Sequence, residues 1–342
     1  MFDFELLKTL CLLDGTSGRE DAVRAFIEKE IAGLADEVHT DALGSLVAFK
    51  KGKARPKNRV LFDAHMDEVG FIITGVTDEG FLRFSAVGGI SPGVILGRRV
   101  TVGEKRLTGV IGTKALHMLS AEERDKAPDP DKLLIDIGAQ SRAEALSLIS
   151  LGDSAYFKGS WQEFGAHSIA AKAIDDRAGC AALICLMRRE LPYDTWFSFS
   201  TQEEVGGNGA KTAAFTVEPD IAVAVEATAC GDVAGVEGDA CVCTFGGGAV
   251  VSFMDNGTIY DKGLYEHAFA LAKERGIACQ TKTRIAGGNN AHVLHTVGSG
   301  VRVAAVSVPG KYIHSPYNVS DKRDILAVYE MVKALAETAG VL

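Results

Sequence analysis

Between Gly70 and about Gly159 the chain changes texture, and this break constrains the fold more than any other feature. Short β-rich runs at 71–74, 81–84, 99–102 and 108–111 follow one another with glycines between them. Near-continuous turn signals of this kind predict a small all-β barrel or sandwich. The stretch 120–132 is charged and carries two prolines, which predicts an exposed loop.

On both sides of that stretch, helical spacing alternates with apolar strands. The first forty residues read as helical. Ser17 and Glu20 have the form of a capping box, and Ala22, Val23, Phe26, Ile27 and Ile31 follow at helical spacing. Residues 44–49 and 59–64 read as strands. Val60, Leu61 and Phe62 in succession suggest a strand buried on both faces. After Lys172 the pattern predicts helices at 176–189, 260–275 and 321–339, and strands at 195–201, 221–226 and 301–308. Such alternation implies a mainly parallel sheet flanked by helices. The expectation is a discontinuous α/β unit, 1–69 plus 160–342, interrupted by a β-rich insert at 70–159. A chain of 342 residues is long enough for both.

Composition narrows the class. The chain is 47% hydrophobic and 24% charged, which suits a packed globular protein. Its net charge of -9 gives no electrostatic reason to seek nucleic acid or an anionic membrane. The basic run Lys50, Lys51, Lys53, Arg55 and Lys57 reads as a solvated loop. The start of the chain lacks the basic-then-apolar pattern of a signal peptide, and no apolar run approaches the roughly 20 residues of a membrane span. Seven cysteines without a CxxC pair suggest reduced thiols in a cytoplasm. Cys230 is read as a small core residue, since a soft thiolate suits a closed structural zinc site better than a hydrolytic one.

Five places concentrate carboxylate and imidazole at predicted strand ends, where open α/β sheets gather their chemistry. His65 and Asp67 are two apart, so both can point to one side of an extended chain, a ligand with a carboxylate behind it. Asp175 precedes a predicted helix and can either cap it or bridge two cations. Glu203 and Glu204 follow a strand as adjacent acids. They are easier to explain if a cation neutralises one and the other handles a proton. Glu226 directly follows apolar residues, and a buried acid needs a partner, whether cation, helix terminus or arginine. His314 follows a strand in a proline-rich turn. With Asp67 behind His65 and one of Glu203 and Glu204 left to handle a proton, two imidazoles and three acids remain, a set suited to zinc, cobalt or manganese.

His65-Met-Asp67-Glu-Val-Gly, Asp175-Asp176-Arg177-Ala-Gly, Gln202-Glu203-Glu204-Val-Gly-Gly and Tyr312-Ile-His314-Ser-Pro, in that order, resemble the tetrahedral aminopeptidases of metallopeptidase family 42. The resemblance covers nearly the whole chain. It implies a di-zinc exopeptidase type of catalytic domain, a helix-flanked mixed sheet, carrying an inserted small PDZ-like β-barrel for dimerisation. It implies two divalent ions, zinc first and cobalt or manganese as alternatives. His65 and Glu226 would hold one ion and Glu204 and His314 the other. Asp175 would bridge them, with its bond to Asp176 cis as in related enzymes. Asp67 would sit behind His65, and Glu203 would be general base and then acid. The ions would activate a water and polarise the scissile carbonyl. The implied substrates are short peptides with a free N-terminus, and the implied assembly is a dimer building to a hollow dodecamer.

Some positions depart from the family pattern. The fourth ligand is often Asp; here it is Glu226, with Asp232 as a fallback. Gly287-Gly-Asn289-Asn290 stands where many relatives carry Gly-Gly-Thr-Asp, in a stretch expected close to the substrate. His292 is a candidate substrate contact, His295 reads as structural, and Lys311 replaces a common Arg. A di-metal N-acyl amino acid deacylase or carboxypeptidase on the same architecture is the close rival. A glycosidase would need only two carboxylates and would leave the histidines idle. A non-catalytic assembly protein has no use for the intact set of acids.

Overall fold

The computed structural model describes residues 1–342, with side chains for all but Leu116, Glu123 and Asp239. Four strands run parallel at the centre of an eleven-stranded sheet. Their order is Thr195–Ser200, Val60–His65, Ile221–Ala229 and Arg302–Lys311. Antiparallel strands extend it on both sides. Leu46–Lys50 and Glu37–Thr40 lie on one, and Asn318–Asp321, Ser168–Ala171 and Gln162–Phe164 on the other. The sheet is therefore mixed, as the family resemblance implied, where the alternation of helix and strand alone suggested a mainly parallel one. Short turns join Glu37–Thr40 to Leu46–Lys50, Gln162–Phe164 to Ser168–Ala171 and Arg302–Lys311 to Asn318–Asp321, and connections too short for a crossover permit only antiparallel pairing. For the same reason Glu37–Thr40, at the end of a stretch expected to be helical, is a strand: it forms a hairpin with Leu46–Lys50.

The central strands are buried on both faces, as Val60-Leu61-Phe62 suggested. Val60, Phe62 and Ala64 join the larger core, while Leu61 joins a second core on the opposite face. Ile221, Val223 and Val225 alternate with Ala222 and Ala224 in the same way. The helix Ile174–Met187 is buried along its whole length. An apolar helix of that kind belongs inside a protein. It packs between the central strands and the helices Phe4–Leu12 and Lys322–Ala336. That fixes its first residues against the carboxyl end of Val60–His65.

The β-rich stretch forms a closed six-stranded barrel. Its strands, in order around the wall, are Gly70–Val76, Leu82–Val87, Leu134–Asp136, Leu107–Gly112, Arg99–Val102 and Ser154–Phe157. It has its own core, centred on Phe71, whose ring lies edge-on to Phe84 and Phe157 at 5.1 Å. Closure pairs the first strand with the last and leaves no open edge.

The capping box is not formed. The helix Asp21–Ile31 begins at Glu20 with no side-chain cap. Ser17 Oγ instead donates to Asp67 Oδ2 at 2.7 Å, and Glu20 Oε1 accepts from the Gly18 and Gln202 amides at 2.8 and 3.1 Å. Ser17 thus serves the buried Asp67 carboxylate and Glu20 the distant Gln202 amide, and satisfying those groups outweighs a local cap.

Candidate metal centre

The parallel strands end on one side of the sheet, and each delivers an acid or imidazole there. His65 is the last residue of Val60–His65, and Glu226 lies within Ile221–Ala229. Glu203 and Glu204 sit in the turn after Thr195–Ser200, and His314 in the turn after Arg302–Lys311. Asp175 comes from the start of Ile174–Met187, where Asp175 and Asp176 leave helical geometry and their peptide bond is cis. Ala173, Gln202, Tyr312 and His314, flanking these groups, all adopt positive φ, although none is glycine. Residues held in that region tend to gather at active sites.

Two sets of ligand atoms result. Those of His65, Asp175 and Glu226 lie within 4.8 Å of one another, as do those of Asp175, Glu204 and His314. His65 Nε2 is 3.3 Å from Asp175 Oδ1 and 3.6 Å from Glu226 Oε2. His314 Nε2 is 3.4 Å from Glu204 Oε2 and 3.6 Å from Asp175 Oδ2. Asp175 thus offers one oxygen to each set.

The outer partners fix the imidazoles. His65 Nδ1 is 3.1 Å from the Asp67 carbonyl and 3.4 Å from its carboxylate. His314 Nδ1 is 2.8 Å from the Gly89 carbonyl. A carbonyl only accepts, so Nδ1 carries a proton in both rings and Nε2 is the nitrogen each ring turns toward the carboxylates. Metal-binding histidines are held in this way. Asp67 also accepts from the Glu203 and Glu204 amides at 2.9 and 3.1 Å, so one buried carboxylate orients both His65 and the acidic turn. Burial would raise its pKa, but His65, Ser17 and the Glu203 amide outweigh that and lower it.

The barrel reaches the second set through Gly88 and Gly89. Besides the Gly89 carbonyl on His314, Gly88 has φ +82°, and a Cβ there would meet Val69 at 2.8 Å and the Glu204 Cβ at 3.2 Å. A side chain at this position would push on Glu204.

The donor set fits divalent cations. Burial, followed by neighbouring carboxylates, pushes Glu204 well above the ordinary range, and burial does the same for Glu226 against the pull of His65. Burial also moves Glu203 up to about 7. So many carboxylates in one dry place repel each other unless positive charge stands among them. The oxygen-and-imidazole chemistry suits zinc, cobalt or manganese. Three carboxylates leave a pair of such ions with net positive charge.

A cavity of about 220 Å³ opens over both sets. His65, Asp175, Glu203, Glu204, Glu226 and His314 line it, together with Val242, Lys282, Asn289 and Ile313. A larger cavity of about 540 Å³, at the opposite end of the sheet beside Arg59 and Trp196, contains neither ligand set.

Most other residues singled out from the sequence stand outside the two ligand sets and the cavity. Cys230 is buried beside Cys243, and Asp232 accepts from the Phe245 amide; neither joins a ligand set. Lys311 stands over the Phe245 ring at 4.6 Å. His292 turns Nδ1 to the Asn289 carbonyl and does not line the cavity, and His295 turns Nδ1 to the Ala291 carbonyl. Asn289 lines the cavity, whereas Asn290 is fully buried behind Glu226. Ser17, Glu20, Gly88 and Gly89 serve the site with no local sequence signal for it.

Fold and site together define a metal-dependent hydrolase with a binuclear centre. Residues 44–331 match the family described as M42 glutamyl aminopeptidase, and the chain belongs to that family. Its activity is that of a metal-dependent exopeptidase of this type. A TET aminopeptidase from a marine sediment Thaumarchaeota archaeon is 33% identical, with a TM-score of 0.94 over 98% of this chain and 96% of its own. The TET1 peptidase of Pyrococcus horikoshii, which can assemble into a tetrahedron or a large octahedral shell, is 36% identical. Its TM-score is 0.86, covering 98% of this chain and 99% of its own. The lysyl aminopeptidase of Pyrococcus furiosus is 30% identical, covering 98% of this chain and 97% of its own length.

Proposed function

We propose that this chain removes N-terminal residues from short peptides, with Glu203 moving the proton. The observation that carries this reading is that Glu203 and both ligand sets line one cavity, with the Glu203 amide held by the Asp67 that also orients His65. His65, Asp175 and Glu226 would hold one divalent ion, and Asp175, Glu204 and His314 the other. When bound, such a pair acidifies a water and polarises a carbonyl. The chain's own groups do the rest. Glu203 takes a proton from the water and returns it to the leaving amine. Asp67 keeps His65 and the acidic turn in register.

A free substrate α-amine is attracted to the carboxylate-rich rim, which selects chain termini. Amino-acyl anilides with a free amine are therefore expected to be cleaved. Their N-acetyl counterparts should lose about 10–100-fold in kcat/KM, the worth of a charge-assisted hydrogen bond. Equal cleavage of the two would remove the free amine from recognition, and release of the N-acyl group itself would favour a deacylase instead.

The unit 1–69 plus 160–342 carries catalysis, and 70–159 carries assembly. In support, the barrel exposes Leu96, Val110, Met118, Leu146 and Leu151. Homo-oligomers up to a tetrahedral dodecamer are expected by analogy with the Pyrococcus horikoshii relative. All seven cysteines are free, which supports a cytoplasmic setting. Among the described residues no helix is long and apolar enough to cross a membrane.

A further inference from the structure

Beneath the site lies a buried polar network that the reaction itself does not use. Asp63, two residues before His65, is fully buried in Val60–His65. Its carboxylate accepts from Ser198 Oγ, from Ser200 Oγ at 3.3 Å and from Asn290 Nδ2 at 2.8 Å. Asn290 Nδ2 also donates to Ser200 Oγ at 3.0 Å. From the same residue, the backbone amide of Asn290 donates to Glu226 Oε1 at 3.2 Å. Asn290 is fully buried, and its Oδ1 has no hydrogen-bond partner among the described residues.

These contacts tie one end of Asn290 to a buried carboxylate and the other to a metal ligand. Glu226 has a longer, more flexible stem than an aspartate and needs an external hold on one oxygen. Its Oε1 faces the Asn290 amide, while Oε2 stays turned toward His65 Nε2. Donation to Asp63 aims the Asn290 side chain, and the unpartnered Oδ1 shows which contact dictates its orientation: the amide satisfies Asp63 and forgoes an acceptor contact elsewhere. A carboxylate at 290 would offer no donor to Asp63 and would set two buried acids in contact.

We propose that Asn290 is a positioning residue for Glu226, locked in place by Asp63, so that positions 63 and 290 must together supply one carboxylate and one amide. This rests on the assignment of Glu226 as a metal ligand. Asp63 and Asn290 touch no substrate and act only through Glu226.

The test is calorimetric titration of metal-depleted protein with Zn2+, in wild type, Asn290→Asp, Asp63→Asn/Asn290→Asp and Asn290→Ala. Wild type should take up two ions per chain. Asn290→Asp should bind one ion about 10–100-fold more weakly, the usual cost of losing a ligand's outer partner, and the other ion unchanged. The double variant restores one amide and one carboxylate and should recover most of that affinity. Asn290→Ala keeps the backbone amide but frees the residue from Asp63. It should weaken the same site alone, which keeps the test decisive if Asn290→Asp does not fold. Wild-type affinity in both single variants, equal loss at both sites, or a double variant no better than Asn290→Asp would each overturn the proposal. A wild type that binds no ion would overturn the metal centre itself.

Discussion

Glu203→Gln is expected to lower kcat by about 10²–10⁴-fold while leaving KM and the uptake of two ions per chain nearly unchanged. The glutamine keeps the size of the side chain and loses only the ability to take up a proton. Glu203 belongs to neither ligand set, and its amide contact to Asp67 is made by the backbone, which the substitution preserves. Loss of the proton acceptor should therefore appear in kcat alone. Steady-state kinetics with metal analysis on the same sample separates the outcomes. A variant that loses metal along with activity would make Glu203 a ligand, and one that keeps full activity would remove it from the mechanism.

Asp175→Ala should be the most damaging single change at the site. Its two oxygens serve different sets, Oδ1 beside His65 and Oδ2 beside His314. The substitution strips one donor from each set at once, where any other ligand substitution strips one from a single set. The expected result is a fall of more than about 100-fold in affinity at both sites, beyond the cost of disturbing an outer partner. Hydrolysis should fall about 10³-fold or more, because the bound ions supply several kcal/mol of charge stabilisation and each 1.36 kcal/mol is tenfold in rate. Titration calorimetry would reveal a non-bridging role as the retention of one full-affinity ion.

What the sequence disclosed follows from the range of the forces involved. His65 and Glu204 were legible because an apolar strand announces its own end, and both faces of Val60–His65 are buried as its pattern implied. Glu226 was legible as an acid beside apolar residues, although the strand runs past it to Ala229. The β-rich insert was legible from its glycines, which left barrel and sandwich open; the resemblance implied the barrel, and its closing pairs join Phe71 to Ala155 and Ile72 to Ser154 across the whole insert. Ser17 and Glu20 misled because capping is a local rule, and here Asp67 and the Gln202 amide claim them from afar. Asn290 shows the same limit. It sits in a stretch that reads as substrate-facing, yet its side chain meets Asp63, a partner 227 residues away. Partners that far apart leave no spacing to read.

Peptide hydrolysis by this chain is expected to depend on two bound ions. Metal-depleted wild-type protein titrated with Zn2+ or Co2+, with hydrolysis of a free-amine aminoacyl anilide followed at each addition, measures both together. The predicted result is negligible hydrolysis before addition, recovery as metal is bound, and a plateau at two ions per chain. Full hydrolysis in the depleted protein, or two ions bound with no aminopeptidase activity on any aminoacyl anilide, would contradict it.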